Sequence, residues 1–204
     1  MAESDSEMPG SVDFNDPTQV HDWIMQTVQR RAWRPRIFAA IARTLNETFD
    51  RAIDVAELGS GAGQLAREIL HNCRVASYAA IDDSPASHDA ARAHLGEVAH
   101  AVRFMVSESL AGDWGGALAP VDAVLAMPAA RGPAHREPLF RRAHDILRPE
   151  GLLLCCNQYD HGGPHQSATT LRREELRETL RAIGFRRVEE VLELGSMVLV
   201  RAVA

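Results

Sequence analysis

Two pieces of this sequence have the residue types and spacing for chemistry. The first is Glu57-Leu58-Gly59-Ser60-Gly61-Ala62-Gly63, a glycine-rich run that follows an apolar stretch. The second is Asp82, which closes the next apolar stretch. Glycines at the end of a strand let backbone N–H groups approach a ligand closely, and the following helix start offers a partly positive end to an anionic group. A carboxylate some twenty residues further on can accept both hydroxyls of a ribose. Together they point to an adenosine-containing ligand. The dinucleotide pattern G-x-G-x-x-G fails, because counting on from Gly59 and Gly61 reaches Gln64 where the last glycine is needed. The spacing is instead acidic-x-G-x-G-x-G, with Glu57 as the acidic member.

Other reactive residues are sparse. Tyr159, Asp160, His161 and His165 cluster beyond the fifth expected strand, where loops carry function, and could serve as a base or touch a substrate. A metal pair from His161 and His165 is disfavoured, since Gly162-Gly163-Pro164 forbids a helix and no third ligand is evident; no metal is expected. Cys73, Cys155 and Cys156 have no metal-ligand spacing, and the neighbouring pair would point to opposite faces of a strand. All 22 cations are arginine, which excludes a lysine Schiff base and a Walker-loop lysine.

The elements that must position these residues alternate. Asp16-Pro17 starts a helix carrying Val20, Trp23, Ile24 and Val28, and Ile37, Phe38, Ile41 and Leu45 mark a second. Strands are expected over 53–58, 75–81, 102–106, 121–127 and 152–156. Between them lie helices marked by Leu65, Ile69 and Leu70, by Ala91, Leu95 and Val98, and by Leu139, Ala143, Ile146 and Leu147. A helix with Leu176, Leu180 and Ile183 ends at Gly184 and precedes strands over 185–191 and 197–200. The fold class is therefore α/β: a doubly wound, mostly parallel seven-stranded sheet with helices on both faces, an antiparallel last strand and two N-terminal helices. Residues 1–16 read as a disordered acidic tail and 17–204 as one domain, divided into a helical lid (17–50) and a ligand-binding core (51–204).

Composition narrows the partners. The net charge of −6 disfavours nucleic acid, which needs clustered cations. Arg131, Arg136, Arg141 and Arg142 form a local cationic cluster that reads first as a solvated helix face. No apolar run is long enough to span a membrane, and the polar start does not read as a signal peptide, so a cytoplasmic location is expected.

From about Ile53 onward, roughly three-quarters of the chain, the sequence resembles the class I, Rossmann-like S-adenosylmethionine-dependent methyltransferases. Glu57 to Gly63 is similar to the family's first motif, and Ile81-Asp82-Asp83-Ser84 to its second-strand ending. Ser107-Glu108-Ser109 sits where the family has an acidic residue near the adenine. Leu147-Arg148-Pro149-Glu150-Gly151-Leu152 resembles the entry to its fifth strand, and Ala182-Ile183-Gly184-Phe185 its "AGF". Two positions depart: Asp83 is charged where an apolar residue is usual, and Glu150 replaces a glycine.

The resemblance implies S-adenosylmethionine as cofactor. Gly59, Ser60, Gly61 and Gly63 would cradle its methionine part with Glu57 beside them, and Asp82 would hold the ribose. Asp83, Glu108 and Ser109 would border the adenine, with Met127 at the end of the fourth strand. Trp23, Tyr159, His161 and His165 would line the acceptor pocket. The expected activity is methyl transfer to oxygen or nitrogen of a small molecule. A non-catalytic cofactor-binding sensor or partner subunit, and a nucleic acid methyltransferase, are the alternatives.

Overall fold

The computed structural model describes residues 13, 16–20, 22, 31–107, 115–127, 133–159 and 173–204. Residues 17–20 are helical, and Asp16 Oδ1 accepts from the Thr18 amide at 2.8 Å, as its expected capping role requires. Trp23, Ile24 and Val28 lie outside the described residues.

Helix α1 (Arg34–Thr48) has Pro35 in its first turn and buries Ile37, Phe38, Ile41 and Leu45 along one stripe. Then come β1 (Ile53–Leu58), α2 (Gln64–Asn72), β2 (Val75–Asp82), α3 (Pro85–Leu95), β3 (Val102–Val106), β4 (Val121–Ala126), α4 (Pro133–Ile146), β5 (Leu147–Gln158), α5 (Arg173–Ile183), β6 (Arg186–Leu194) and β7 (Met197–Val203). The strands form one sheet in the order β3-β2-β1-β4-β5-β7-β6. The pairs β2–β3, β1–β2, β1–β4 and β4–β5 are parallel; β7 runs antiparallel to β5 and β6.

The expected architecture is present, and the buried residues explain it. Successive residues of β1, β4 and β5 face opposite sides of the sheet. Ala56, Leu58, Val124, Ala126, Leu153 and Cys155 pack with Phe140 and Ala143 of α4 and Leu176 and Leu180 of α5. Val55, Ala123, Leu125, Leu154 and Cys156 pack with Ile37, Ile41 and Leu45 of α1 and Leu65 and Ile69 of α2. Both faces of the parallel strands are covered, which is why they read as continuous apolar runs.

Several boundaries differ from expectation. Helix α3 stops at Leu95 because Gly96 takes φ 58, so Val98 falls in a short 3-10 segment, Gly96–Ala101. Strand β5 begins at Leu147, expected on a helix face, because Leu147 pairs with Val121 across an irregularity in the β4 ladder. At its other end β5 runs to Gln158, held by β7 on the opposite edge. Helix α5 ends as expected: Gly184 has φ 127, and the Phe185 amide donates to the Leu180 carbonyl at 3.0 Å.

Candidate functional site

Strand order reverses between β1 and β4, so the carboxyl ends of β1, β2 and β4 border the crevice where ligands bind in open α/β sheets. Residues 59–63 leave β1 there. Gly59, Gly61 and Gly63 have φ of 73, 51 and 73, a left-handed conformation that side chains resist. A Cβ on Gly61 would meet nothing within 4 Å, whereas one on Gly63 would lie 3.1 Å from Ala91 Cβ. Gly61 therefore borders open space, while Gly63 permits α2 to pack closely on α3.

The loop is fastened to the end of β2. The amides of Gly59 and Ser60 donate to the Ile81 carbonyl at 2.8 and 3.2 Å, and that of Gly61 donates to Asp82 Oδ2 at 2.8 Å. The N–H groups expected to face a ligand are thus engaged within the protein, and the loop contributes close approach without a Cβ. Asp82 Oδ1 accepts from the Ser84 amide at 3.0 Å, and Ser84 in turn caps α3 by accepting from the Ser87 amide. Asp82 is 8% exposed. Both of its oxygens thus accept backbone donors.

Glu57, expected beside the loop, is 1% exposed at the end of β1. Burial pushes its carboxyl up to about 8, against the lowering effects of a Tyr78 hydrogen bond and of Arg34; the charge of Asp82 adds to the rise. Asp83 and Met127 are both partly exposed, and Met127 packs against the apolar cluster beneath α1. Glu108, Ser109, Asp160, His161 and His165 lie outside the described residues, as does Arg131.

Tyr159 directly follows β5. Its ring is buried in the apolar cluster under α4 and α5, with the Arg173 guanidinium 5.4 Å from its centroid. Burial above all pushes its phenol well above its ordinary value, the opposite of what a base near neutral pH needs. Cys155 and Cys156 are free, buried thiols pushed up to about 12 mainly by burial. Arg141, from the expected cationic cluster, pairs with Glu137 at 2.7 Å along the exposed face of α4.

Sequence reasoning missed two neighbours of Glu57. Arg34, at the start of α1, donates to Gln64 Oε1 at 3.0 Å, and its Nε is buried without a hydrogen-bond partner. Burial first, and then Arg31, lower its guanidinium to about 10. No local pattern marks it, because α1 reaches the loop only through tertiary packing. Tyr78 donates to Glu57 Oε2 at 2.7 Å. A hydroxyl among the alanines of β2, at the parity that shares a face with Glu57, was the available signal. Ser60 Oγ is also buried and unpartnered.

A parallel sheet with this strand order, a left-handed glycine loop at its switch point and a carboxylate closing β2 define the Rossmann-like class of nucleoside-binding domains. A family model described as a methyltransferase domain matches residues 55–151, from β1 through the entry to β5. Over those residues, just under half of the chain, the sequence is similar to a methyltransferase domain.

A search of curated protein sequences gives no match. Among solved structures, an O-methyltransferase family protein from Burkholderia thailandensis is similar with a TM-score of 0.75 at 19% identity, covering 93% of this chain and 61% of that one. The complex of the Trm112 methyltransferase activator with a methyltransferase from Haloferax volcanii gives 0.71 at 20% identity, covering 96% and 99%. A 1,6-didemethyltoxoflavin-N1-methyltransferase from Burkholderia thailandensis gives 0.62 at 18%, covering 97% and 92%. The chain thus spans about three-fifths of the first of these proteins and nearly all of the other two. Among the described residues, no helix is long and apolar enough to cross a membrane.

Proposed function

We propose that this protein binds S-adenosylmethionine across the carboxyl ends of β1, β2 and β4 and transfers its methyl group to oxygen or nitrogen of a small molecule. The observation that carries the reading is Asp82, a nearly buried carboxylate tied to Gly61 and facing the switch-point crevice. Asp82 holds the ribose hydroxyls. Asp83, Glu108 and Ser109 border the adenine, and Met127 lines the crevice from β4.

The amino-acid end of the cofactor lies against residues 59–63. The buried, unpartnered Ser60 Oγ and Arg34 Nε fit that end, as does the open space beside Gly61. Arg34 receives the carboxylate, and Glu57 the ammonium group. When bound, the cofactor supplies a methyl already activated by the sulfonium. The protein's task is to align the acceptor with it and exclude water.

Residues 17–50 cover the acceptor side, with Trp23, His161 and His165 placed toward it. The apolar packing of α1 and the acidic net charge favour a small, uncharged acceptor over nucleic acid. The domain itself is read as residues 17–204, with residues 1–16 as a tail.

The test is ligand-dependent stabilisation. S-adenosylhomocysteine raises the melting temperature of the full chain, increasingly with the logarithm of its concentration, and nicotinamide dinucleotides do not. The reverse pattern sinks the reading. Product formation from S-adenosylmethionine across oxygen and nitrogen acceptors then separates transfer from binding without turnover.

A further inference from the structure

The hydrogen bond between Tyr78 and Glu57 lies below the crevice and is built into the register of the sheet. Glu57 stands opposite Ala80 in the parallel ladder, so Tyr78, two residues earlier, shares its face. The two side chains are 2% and 1% exposed, and the phenol donates to Glu57 Oε2 at 2.7 Å. A buried carboxylate accepting from a phenol is held in one orientation, since neither side chain has water to turn toward.

We propose that Tyr78 is a positioning residue that holds Glu57 toward the ammonium group of the cofactor's amino-acid end, and that docking of this end drives a proton from Glu57 to solvent. The inference rests on the cofactor reading above. In the free protein, burial keeps Glu57 up to about 8, so at neutral pH it carries a proton. An arriving ammonium group stabilises the carboxylate form. The O–H bond of the acid breaks, its proton goes to water, and an ion pair forms in its place. Tyr78 keeps donating to the same oxygen throughout, because its own phenol is raised well above its ordinary value, first by burial and then by the charge of Glu57.

The other charges around Glu57 agree with one proton leaving. Among the described residues, Asp82 of β2 and Arg34 of α1 are the charged groups acting on it. From β4, the residue opposite Glu57 is the apolar Leu125. Cys156 of β5 acts on Arg34 and stays a neutral thiol, pushed up to about 12 chiefly by burial.

Isothermal titration of the full chain in two buffers of different ionisation enthalpy tests this. The ligands are S-adenosylhomocysteine and 5′-methylthioadenosine, which keeps the nucleoside and thioether but lacks the amino-acid end. At pH 7, S-adenosylhomocysteine binding releases about one proton, and its affinity rises about tenfold per pH unit from pH 6 toward 8. Methylthioadenosine releases none, and its affinity is flat.

Tyr78→Phe keeps the ring and removes a bond that lowers the acid. It therefore weakens S-adenosylhomocysteine about tenfold or more at pH 7, moves its pH rise upward and leaves methylthioadenosine unchanged. Equal proton release for both ligands in the wild-type protein overturns the proposal whether or not the variant folds. An unmoved pH profile in Tyr78→Phe does the same. If neither ligand binds the wild-type protein, the cofactor reading itself has failed.

Discussion

Asp82 accepts the Gly61 amide through Oδ2 at 2.8 Å, joining the last residue of β2 to the middle of the loop that leaves β1. The same carboxylate accepts the Ser84 amide at the start of α3. One side chain thus joins the glycine loop to the start of α3. Its substitution affects ligand and loop together.

Asp82→Ala should therefore lose both functions. S-adenosylhomocysteine affinity falls about a hundredfold, two hydrogen bonds to a charged group being at stake in the loop and others in the ligand. Asp82→Asn keeps one carbonyl oxygen as acceptor and falls less. Titration calorimetry of the three proteins ranks them, and an unchanged affinity in Asp82→Ala removes Asp82 from the site.

The loop glycines separate stability from binding. Gly63→Ala forces a side chain into φ 73 and places its Cβ 3.1 Å from Ala91 Cβ and 3.3 Å from Leu95 Cδ1. It should destabilise by about 2–3 kcal/mol. Gly61→Ala meets no protein atom within 4 Å. Its conformational cost is about 1 kcal/mol, and its main effect is weaker cofactor binding, as the methyl enters the crevice. Urea unfolding and ligand titration of both variants check the contrast.

Far from the crevice, Asp122 at the amino end of β4 receives Arg51 at 2.7 Å and Arg148 at 2.8 Å, with its side chain 2% exposed. Burial alone would raise its carboxyl; the Arg51 bond, the Asp54 amide and Arg148 outweigh this and hold it at about 2. The folded-state value is depressed, so its contribution is complete above the unfolded value near pH 4 and is lost as pH falls from there toward 2. The amount is about 2 kcal/mol. Asp122→Asn should be destabilised by about this much at pH 7 and should match the wild-type protein near pH 2. Urea midpoints across that range test the convergence.

Glu150 has φ 65 and pairs with Arg186 and Arg187 at 2.7 and 2.6 Å. All three side chains are exposed, so the pairs contribute little, while the left-handed backbone costs a side chain about 1 kcal/mol. Glu150→Gly should consequently be more stable than Glu150→Ala by about 1 kcal/mol. Equal urea midpoints for the two variants would show that the strain is absent.

Much of this protein was legible in its residues because the signals are local. Alternation of short apolar runs with helical stripes set the order of elements, and the three glycines after Ile53–Leu58 marked the loop through conformations that only glycine adopts easily. Asp82 could be singled out because a carboxylate is out of place at the end of an apolar strand.

Contacts between distant segments had no such signal. Arg34 reaches Gln64 only because α1 packs over β1 and α2, and nothing in Arg34-Pro35-Arg36 announces it. Tyr78 meets Glu57 through a ladder register decided by the whole sheet. The burial of Tyr159 beneath α4 and α5, and the extension of β5 back to Leu147, follow from partners supplied by remote strands and helices. Spacing along the chain therefore determined the kinds of elements and the loop chemistry. Packing decided which buried charges face one another, because burial and electrostatic neighbourhood are properties of the assembled layers and not of any segment alone.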